Sequence, residues 1–97
     1  MANTDALTGL ANRHAAAQAL GERLGRIPEP LTGMLLDLDE FKRINDSHGH
    51  QAGDAVLREA AKRMRAALPE DALLGRWGGE EFIAILDGAQ GREPASV

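Results

Sequence analysis

The feature that most restricts the fold of this chain is a pair of glycines between two short apolar runs. Residues 73–77 and 82–86 each have the length of a strand, and Gly78, Gly79, Glu80 and Glu81 lie between them. Because glycine readily adopts the positive φ of tight turns, the pattern predicts an antiparallel hairpin. Glycines also let a ligand backbone or phosphate approach closely, so a binding role for the pair stays open.

Upstream of the hairpin, capping residues and apolar spacing predict a helix and a strand. Asn12 is a predicted N-cap for an alanine-rich helix that Pro28 and Pro30 end. The apolar stripe of this helix consists of Ala16, Leu20, Leu24 and Ile27. Residues 31–38 then predict a mostly buried strand.

A second helix is predicted between the strand at residues 31–38 and the first apolar run of the hairpin. Residues 40–45 indicate a helical turn, and residues 46–53 indicate a polar loop. Asp54 can cap the helix that follows, which Pro69 ends. Its apolar positions recur at helical spacing: Val56, Leu57, Ala60, Ala61, Met64 and Leu68.

The order helix, strand, helix, strand, strand predicts an α/β (α+β) sandwich with a mixed sheet and helices on one face. With 97 residues the chain is one domain, formed by residues 1–86. Three strands make a thin, incomplete sheet. Residues 87–97 are rich in turn formers and predict a disordered tail.

Composition excludes several classes of function. A net charge of −4 argues against a nucleic-acid surface, and an anionic ligand would need a cation to approach. The absence of cysteine excludes disulfides and thiolate sites. No apolar run reaches membrane-spanning length and the N-terminus lacks the pattern of a signal peptide, so we expect a cytoplasmic protein with no membrane segment.

Two predicted strand ends carry paired carboxylates. Asp37 and Asp39 stand at the end of the strand predicted over residues 31–38, and Glu80 and Glu81 follow the paired glycine of the hairpin. If the hairpin packs beside the first strand, Glu80 lies near Asp37, and the two carboxylates repel unless a cation bridges them. Mg²⁺ is typically shared between carboxylates and substrate phosphates, so a metal–polyphosphate site is predicted. The alternatives are that Asp37 and Asp39 only end a strand and cap a turn, and that both glutamates are solvated.

Polar residues near the predicted loop offer further contacts. Asn45 and Asp54 carry the donors and acceptors that a guanine edge requires, or they are a helix end and an N-cap. Lys42 faces a phosphate or is a plain surface lysine. His48 and His50 form a His-x-His pair, but too few further ligands are present for a zinc site to be expected.

Four segments together resemble the GGDEF-type diguanylate cyclases of bacteria. Residues 5–13 read DALTGLANR, residues 37–46 read DLDEFKRIND, residues 49–54 read GHQAGD and residues 76–82 read RWGGEEF, the Glu-containing form of the family's hairpin. The resemblance covers residues 5–86. It implies a fold similar to adenylyl cyclase catalytic domains and polymerase palms.

The resemblance also implies a reaction in which two GTP molecules condense to cyclic di-GMP with release of pyrophosphate. Each subunit of an antiparallel homodimer, or a pair with another GGDEF domain, presents one GTP. By the same resemblance Asp37, the Leu38 carbonyl and Glu80 hold Mg²⁺ or Mn²⁺, and Glu81 is a second metal ligand or a base. The resemblance also implies that Asn45 and Asp54 contact guanine. It implies that Gly78 and Gly79 allow the phosphates to approach, and that backbone N–H groups near Phe41 and Lys42 hold the terminal phosphates.

Two departures from the family pattern bear on activity. Pro69 and Ala72 stand where the family's product-inhibition site has arginine and aspartate. The family domain also continues past the hairpin with a helix, a strand and a basic helix that residues 1–97 do not contain, so the resemblance makes residues 1–86 the N-terminal part of a GGDEF domain. The leading hypothesis is therefore a catalytic segment of a diguanylate cyclase, and the alternative is a weak or inactive module for GTP binding or dimerisation.

Overall fold

The computed structural model describes residues 3–26 and 31–87, which form three helices and three strands. In chain order the elements are α1 (Arg13–Leu24), β1 (Leu31–Asp37), α2 (Phe41–His48), α3 (His50–Ala67), β2 (Leu73–Arg76) and β3 (Glu81–Asp87). The predicted order of helices and strands is confirmed. Ile27, Pro28, Pro30 and residues 88–97 lie outside the described part of the chain.

The three strands form one antiparallel sheet in the order β1–β3–β2. The hairpin predicted around the paired glycine joins β2 to β3, with Arg76 opposite Phe82. On its other side β3 pairs with β1, from Leu31 opposite Asp87 to Asp37 opposite Glu81. A mixed sheet was expected, but the described strands pair antiparallel throughout, and the parallel pairing is limited to a single bridge between Ala11 and Gly75.

Helices cover both faces of the sheet, and the prediction of helices on one face is wrong. Alternate residues of β3 point to opposite faces. Phe82 and Ala84 belong to a buried cluster with Leu57 and Ala61 of α3. Ile83 and Ile85 of β3 form a second cluster with Ala16 of α1. The periodicity of α1 shows that it has an apolar side, but not which face of the sheet that side covers.

Close packing of α1 requires a glycine in β2. A Cβ on Gly75 would lie 2.8 Å from the Cβ of Ala16 and 3.3 Å from the Ala11 carbonyl oxygen. The predicted N-cap of the helix is confirmed, since the Asn12 side chain accepts a hydrogen bond of 2.9 Å from the Ala15 N–H. Gly75 and Asn12 together set where α1 begins on the sheet.

The segment predicted as a polar loop is mostly helical. Residues 46–48 belong to α2 and residues 50–53 to α3, with Gly49 alone between the helices at φ 88°. A positive φ is the conformation that favours glycine, so Gly49 permits the break in one residue. Asp54 is consequently the fifth residue of α3, and its interpretation as an N-cap is wrong.

The two edges of the sheet differ. The outer edge of β2 is bonded by Ala11, whose N–H donates to the Leu74 carbonyl at 3.1 Å and whose carbonyl accepts from the Arg76 N–H at 2.8 Å. The outer edge of β1 has no partner strand within residues 3–26 and 31–87, and its Leu35 side chain is 65% exposed. The apolar run of β1 is therefore not buried as the sequence predicts.

Candidate active site

The paired carboxylates meet where β1 ends beside the hairpin turn. Asp37 is the last residue of β1 and stands directly opposite Glu81, the first residue of β3. One residue later the Leu38 N–H donates to the Glu80 carbonyl at 3.1 Å. The prediction that Glu80 lies near Asp37 is confirmed, because this bond extends the β1–β3 ladder into the turn.

An open pocket of about 520 Å³ lies against these carboxylates. It brings together seven residues from β1, α2 and the hairpin: Asp37, Phe41, Lys42, Asn45, Gly79, Glu80 and Glu81. All seven belong to the residues for which the sequence predicts ligand contacts. The lining thus combines three carboxylates with a lysine and an amide.

The carboxylates suit a hard cation shared with a ligand. Asp37 and Glu81 are exposed cross-strand partners, and like charges opposite each other repel. The described residues contain no group of three histidines or acids close enough to hold a metal by themselves. Mg²⁺ commonly takes one or two carboxylates and completes its shell with waters and phosphates, so the donor set fits Mg²⁺ bound together with a polyphosphate.

The two glycines of the hairpin do not adopt the conformation expected for a tight turn. Within the described residues, positive φ among glycines is confined to Gly9 and Gly49. At Gly78 a Cβ would lie 2.5 Å from the Glu81 Oε1, whereas at Gly79 it would meet nothing within 4 Å. Gly78 therefore leaves room for the Glu81 carboxylate, and Gly79 leaves an open approach to the pocket.

The N-terminus of α2 opens next to the same pocket. Glu40 is the N-cap, with φ 61°, so the interpretation of Asp39 as that cap is wrong. The Glu40 side chain makes no capping bond to the helix backbone and instead accepts a hydrogen bond of 3.0 Å from the Arg43 guanidinium. The Ile44 N–H is bonded to the Glu40 carbonyl at 3.0 Å. The N–H groups before it, at Phe41 and Lys42, belong to the first turn of the helix, whose free N–H groups attract anions.

Asn45 and Asp54 lie on different helices that pack together. The Asn45 side chain is in contact with Gly53 on α3, one residue before Asp54. The Asn45 Oδ1 is buried and has no hydrogen-bond partner within the described residues. Asn45 lines the acidic pocket, whereas Asp54 is half-buried and is not one of the lining residues.

The sequence interpretation missed the groups that hold the hairpin in position. Asp5 accepts hydrogen bonds from the Thr8 N–H at 2.9 Å, from the Thr8 hydroxyl at 2.8 Å and from Arg76 at 3.1 Å. Arg76 also donates to the Gly79 carbonyl at 2.8 Å. The three-residue spacing of Asp5 and Thr8, which suits a turn held by a side chain, was the available signal, but spacing alone does not connect it to Arg76.

The Asp5 carboxylate is held in its charged form. Burial by itself raises its pKa, but the hydrogen bonds from Thr8 and the charge and hydrogen bond of Arg76 outweigh burial, so the pKa lies below the usual 3.8.

A second arginine supports the residue before the paired glycine. The Arg13 guanidinium lies 4.6 Å from the centre of the Trp77 ring and donates to the Trp77 carbonyl at 3.3 Å. The Trp77 N–H donates to the Glu81 carbonyl at 2.7 Å. Arg13 and Arg76 therefore hold the two carbonyls, of Trp77 and Gly79, that lead into Glu80.

The remaining predicted features lie away from the pocket. His48 and His50 are exposed at the end of α2 and the start of α3, and no metal-binding cluster includes them among the described residues. Pro69 and Ala72 form a turn in which the Ala72 N–H donates to the Pro69 carbonyl at 3.0 Å. None of the described helices has the length and apolar character needed to cross a bilayer.

Comparison with known proteins identifies the family. The profile described as diguanylate cyclase, GGDEF domain, matches residues 2–97. A diguanylate cyclase of Vibrio cholerae is 43% identical over 90 residues, covering 90% of this chain and 28% of that protein. The cyclic di-GMP phosphodiesterase PdeR of Escherichia coli is 38% identical over 86 residues, covering 88% of this chain and 13% of that protein.

A solved structure agrees with the sequence comparison. The GGDEF domain of DgcB from Caulobacter crescentus, crystallised in complex with c-di-GMP, superposes with a TM-score of 0.86 at 37% identity, covering 99% of this chain and 56% of that one. The chain thus spans little more than half of this solved domain and a smaller share of both curated relatives. The mixed α/β fold is confirmed, and the chain belongs to the GGDEF domain family of bacterial cyclic di-GMP signalling.

Proposed function

We propose that this chain is a catalytic segment of a diguanylate cyclase that binds GTP with Mg²⁺ and contributes to its condensation into cyclic di-GMP. The observation that carries the proposal is the pocket that Asp37, Glu80 and Glu81 line together with Asn45 and Lys42. Carboxylates suit the cation that accompanies a triphosphate, and an amide suits the polar edge of a base. Family membership supports the same reaction.

The roles follow from the chemistry of each group. We assign Asp37, the Leu38 carbonyl and Glu80 to a divalent cation, Mg²⁺ or Mn²⁺, which when bound neutralises charge on the triphosphate. The N–H groups at the start of α2 and the Lys42 ammonium suit the terminal phosphates. Gly79 leaves the space a phosphate needs, and Gly78 makes room for the Glu81 carboxylate beside it. Asn45 and Asp54 are assigned to the guanine edge.

Each of two reciprocal steps forms a bond between the 3′-oxygen of one GTP and the α-phosphorus of the other, and breaks the bond from that phosphorus to pyrophosphate. The ring thus closes with release of two pyrophosphates. Glu81 lies opposite Asp37 and is the candidate to accept the proton of the 3′-hydroxyl, or to act as a further metal ligand. Condensation requires two nucleotide-loaded sites facing each other. The proposal therefore includes a homodimer or a pair with another GGDEF domain.

A second candidate function is a module that binds GTP without turnover. It is favoured by the similarity to PdeR, which aligns with 88% of this chain and is named a phosphodiesterase. A segment of this kind thus occurs in a protein that is not named as a cyclase. The described sheet also leaves the outer edge of β1 open, and a loosely held dimer would position the two nucleotides poorly. In this case the acidic pocket holds nucleotide as a signal rather than as a substrate.

Chromatography of reaction mixtures distinguishes the two candidates. The purified chain is incubated with GTP and Mg²⁺, beside an intact GGDEF cyclase and a Glu81→Gln variant. Formation of cyclic di-GMP that Glu81→Gln abolishes supports the cyclase. We expect the 97-residue chain to turn over far more slowly than the intact cyclase. GTP binding by calorimetry without any product supports the binding module, and neither binding nor product contradicts both.

A further inference from the structure

Gly53 occupies a position where helix geometry does not call for glycine. It is the fourth residue of α3, is buried, and does not have a positive φ. Its N–H is bonded to the Gly49 carbonyl at 3.2 Å, as in an ordinary helix. Glycine is among the poorest helix formers, so a buried glycine within a helix indicates that something else excludes a side chain.

The Asn45 amide excludes that side chain. A Cβ built on Gly53 would collide with the Asn45 Oδ1 and would also lie 2.8 Å from its Cγ and 3.3 Å from its Nδ2. All three contacts are to the head of one asparagine. Gly53 therefore accommodates the amide of a residue on the neighbouring helix.

The same amide has an unused hydrogen-bonding atom. The Asn45 Oδ1 is buried without a donor from the described residues, although buried polar atoms are nearly always bonded. Asn45 also lines the acidic pocket. A purine in the pocket meets this amide with one of its edges. Guanine presents an N1–H and a 2-amino group side by side, where adenine has an acceptor nitrogen and a C–H and carries its amino group on C6, so a fixed amide can distinguish the two bases.

We propose that Gly53 is a specificity-determining residue, which fixes the orientation of the Asn45 amide so that the pocket prefers guanine to adenine. The inference rests on the proposed function and adds a residue that does not itself touch the nucleotide. A methyl group at this position displaces the amide, because the helix backbone at Gly53 is held by its own hydrogen bonds. Metal and triphosphate contacts lie on other residues and stay in place.

The experiment measures the affinities of the chain for GTP and ATP, with Mg²⁺, by calorimetry. The Gly53→Ala variant should bind GTP about five- to one-hundredfold more weakly, the range expected when a buried hydrogen-bonding group is lost, and should bind ATP as the unmodified chain does. Gly21→Ala is the matched control, since it replaces a helical glycine of α1 whose Cβ would meet nothing within 4 Å. We expect this control to leave both affinities unchanged.

Two further variants separate a displaced amide from a damaged fold. Once Asn45→Ala has removed the amide, adding Gly53→Ala should change neither the GTP to ATP ratio nor, except for a small gain in helix stability, the melting temperature. A further fall in GTP affinity in that background overturns the proposal, as does a Gly53→Ala variant that keeps the full preference for GTP. Failure of the unmodified chain to prefer GTP counts against the proposed function instead.

Discussion

Arg76 donates to both oxygens of the Asp5 carboxylate, at 3.1 and 3.3 Å, although the two residues are 71 positions apart. The same guanidinium donates to the Gly79 carbonyl at 2.8 Å. One side chain thus connects the N-terminal turn to the tip of the hairpin that carries Glu80. The pair is more than three-quarters buried on each side, so solvent screens it less than an exposed ion pair.

We expect Asp5→Asn to lower the free energy of unfolding by about 1–3 kcal/mol, the range for losing hydrogen bonds to a charged group. Chemical denaturation at neutral pH measures the loss. Glu59→Gln is the matched control, since Glu59 pairs with Arg63 at 3.0 Å on the exposed face of α3, where the loss should be within about 0.5 kcal/mol. Equal losses in the two variants would contradict the importance of the Asp5–Arg76 pair.

The stability difference between the unmodified chain and Asp5→Asn should depend on pH. The pKa of Asp5 is lower in the folded chain than its usual value of 3.8. Its contribution is therefore complete above that value and is lost as the pH falls through the lower, folded-state pKa. Denaturation curves from pH 7 downward should show the two free energies of unfolding converging only below about pH 4. Convergence at higher pH contradicts the lowered pKa.

Asp37→Asn should abolish metal-dependent nucleotide binding, because a neutral amide is a poor ligand for a hard cation. Calorimetric titration with GTP, with and without Mg²⁺, measures this dependence. Asp46→Asn on the exposed side of α2 is the control, since Asp46 does not line the pocket. An Mg²⁺ dependence that survives in Asp37→Asn would falsify the assignment of this carboxylate.

Any cyclase activity of the chain should lack strong noncompetitive inhibition by cyclic di-GMP. Inhibition at the family's product site needs an arginine, whose forked donors grip a phosphate or a guanine edge, and Pro69 and Ala72 stand at the defining positions. Initial rates at several GTP concentrations, with added product, distinguish weak competition at the active site from inhibition elsewhere. If activity is too low to follow, equilibrium binding should show no tight site for the product.

The open edge of β1 should make the chain self-associate when it is produced by itself. Met34, Leu35 and Leu36 are 39%, 65% and 38% exposed, and residues 31–36 of this edge strand carry no charge. Leu35→Lys should shift sedimentation profiles toward the monomer. Leu24→Lys is the control, because Leu24 is 58% exposed but lies at the end of α1 rather than on the sheet edge. The same shift in both variants would show that the edge is not responsible.

Local patterns in the sequence predicted the order of the helices and strands and the hairpin, although residues 46–48 and 50–53 are helical where a loop was expected. Asn12 is the N-cap of α1, as predicted from its side chain. Leu57 and Ala61 of α3 are buried, as their helical spacing predicts. The meeting of Asp37 with Glu80 was also predicted, because adjacent antiparallel strands bring acidic ends together. These features depend on residues close in sequence or on one strand pairing.

The tertiary structure decided what short-range patterns do not encode. Periodicity gives α1 an apolar side, but only the chain path puts that side against Ile83 and Ile85 instead of beside α3. Likewise, nothing in the spacing joins Asp5 to Arg76, or shows that Gly53 makes room for Asn45. Residue types and local spacing fix which groups are available, whereas contacts between distant segments depend on how the whole core packs.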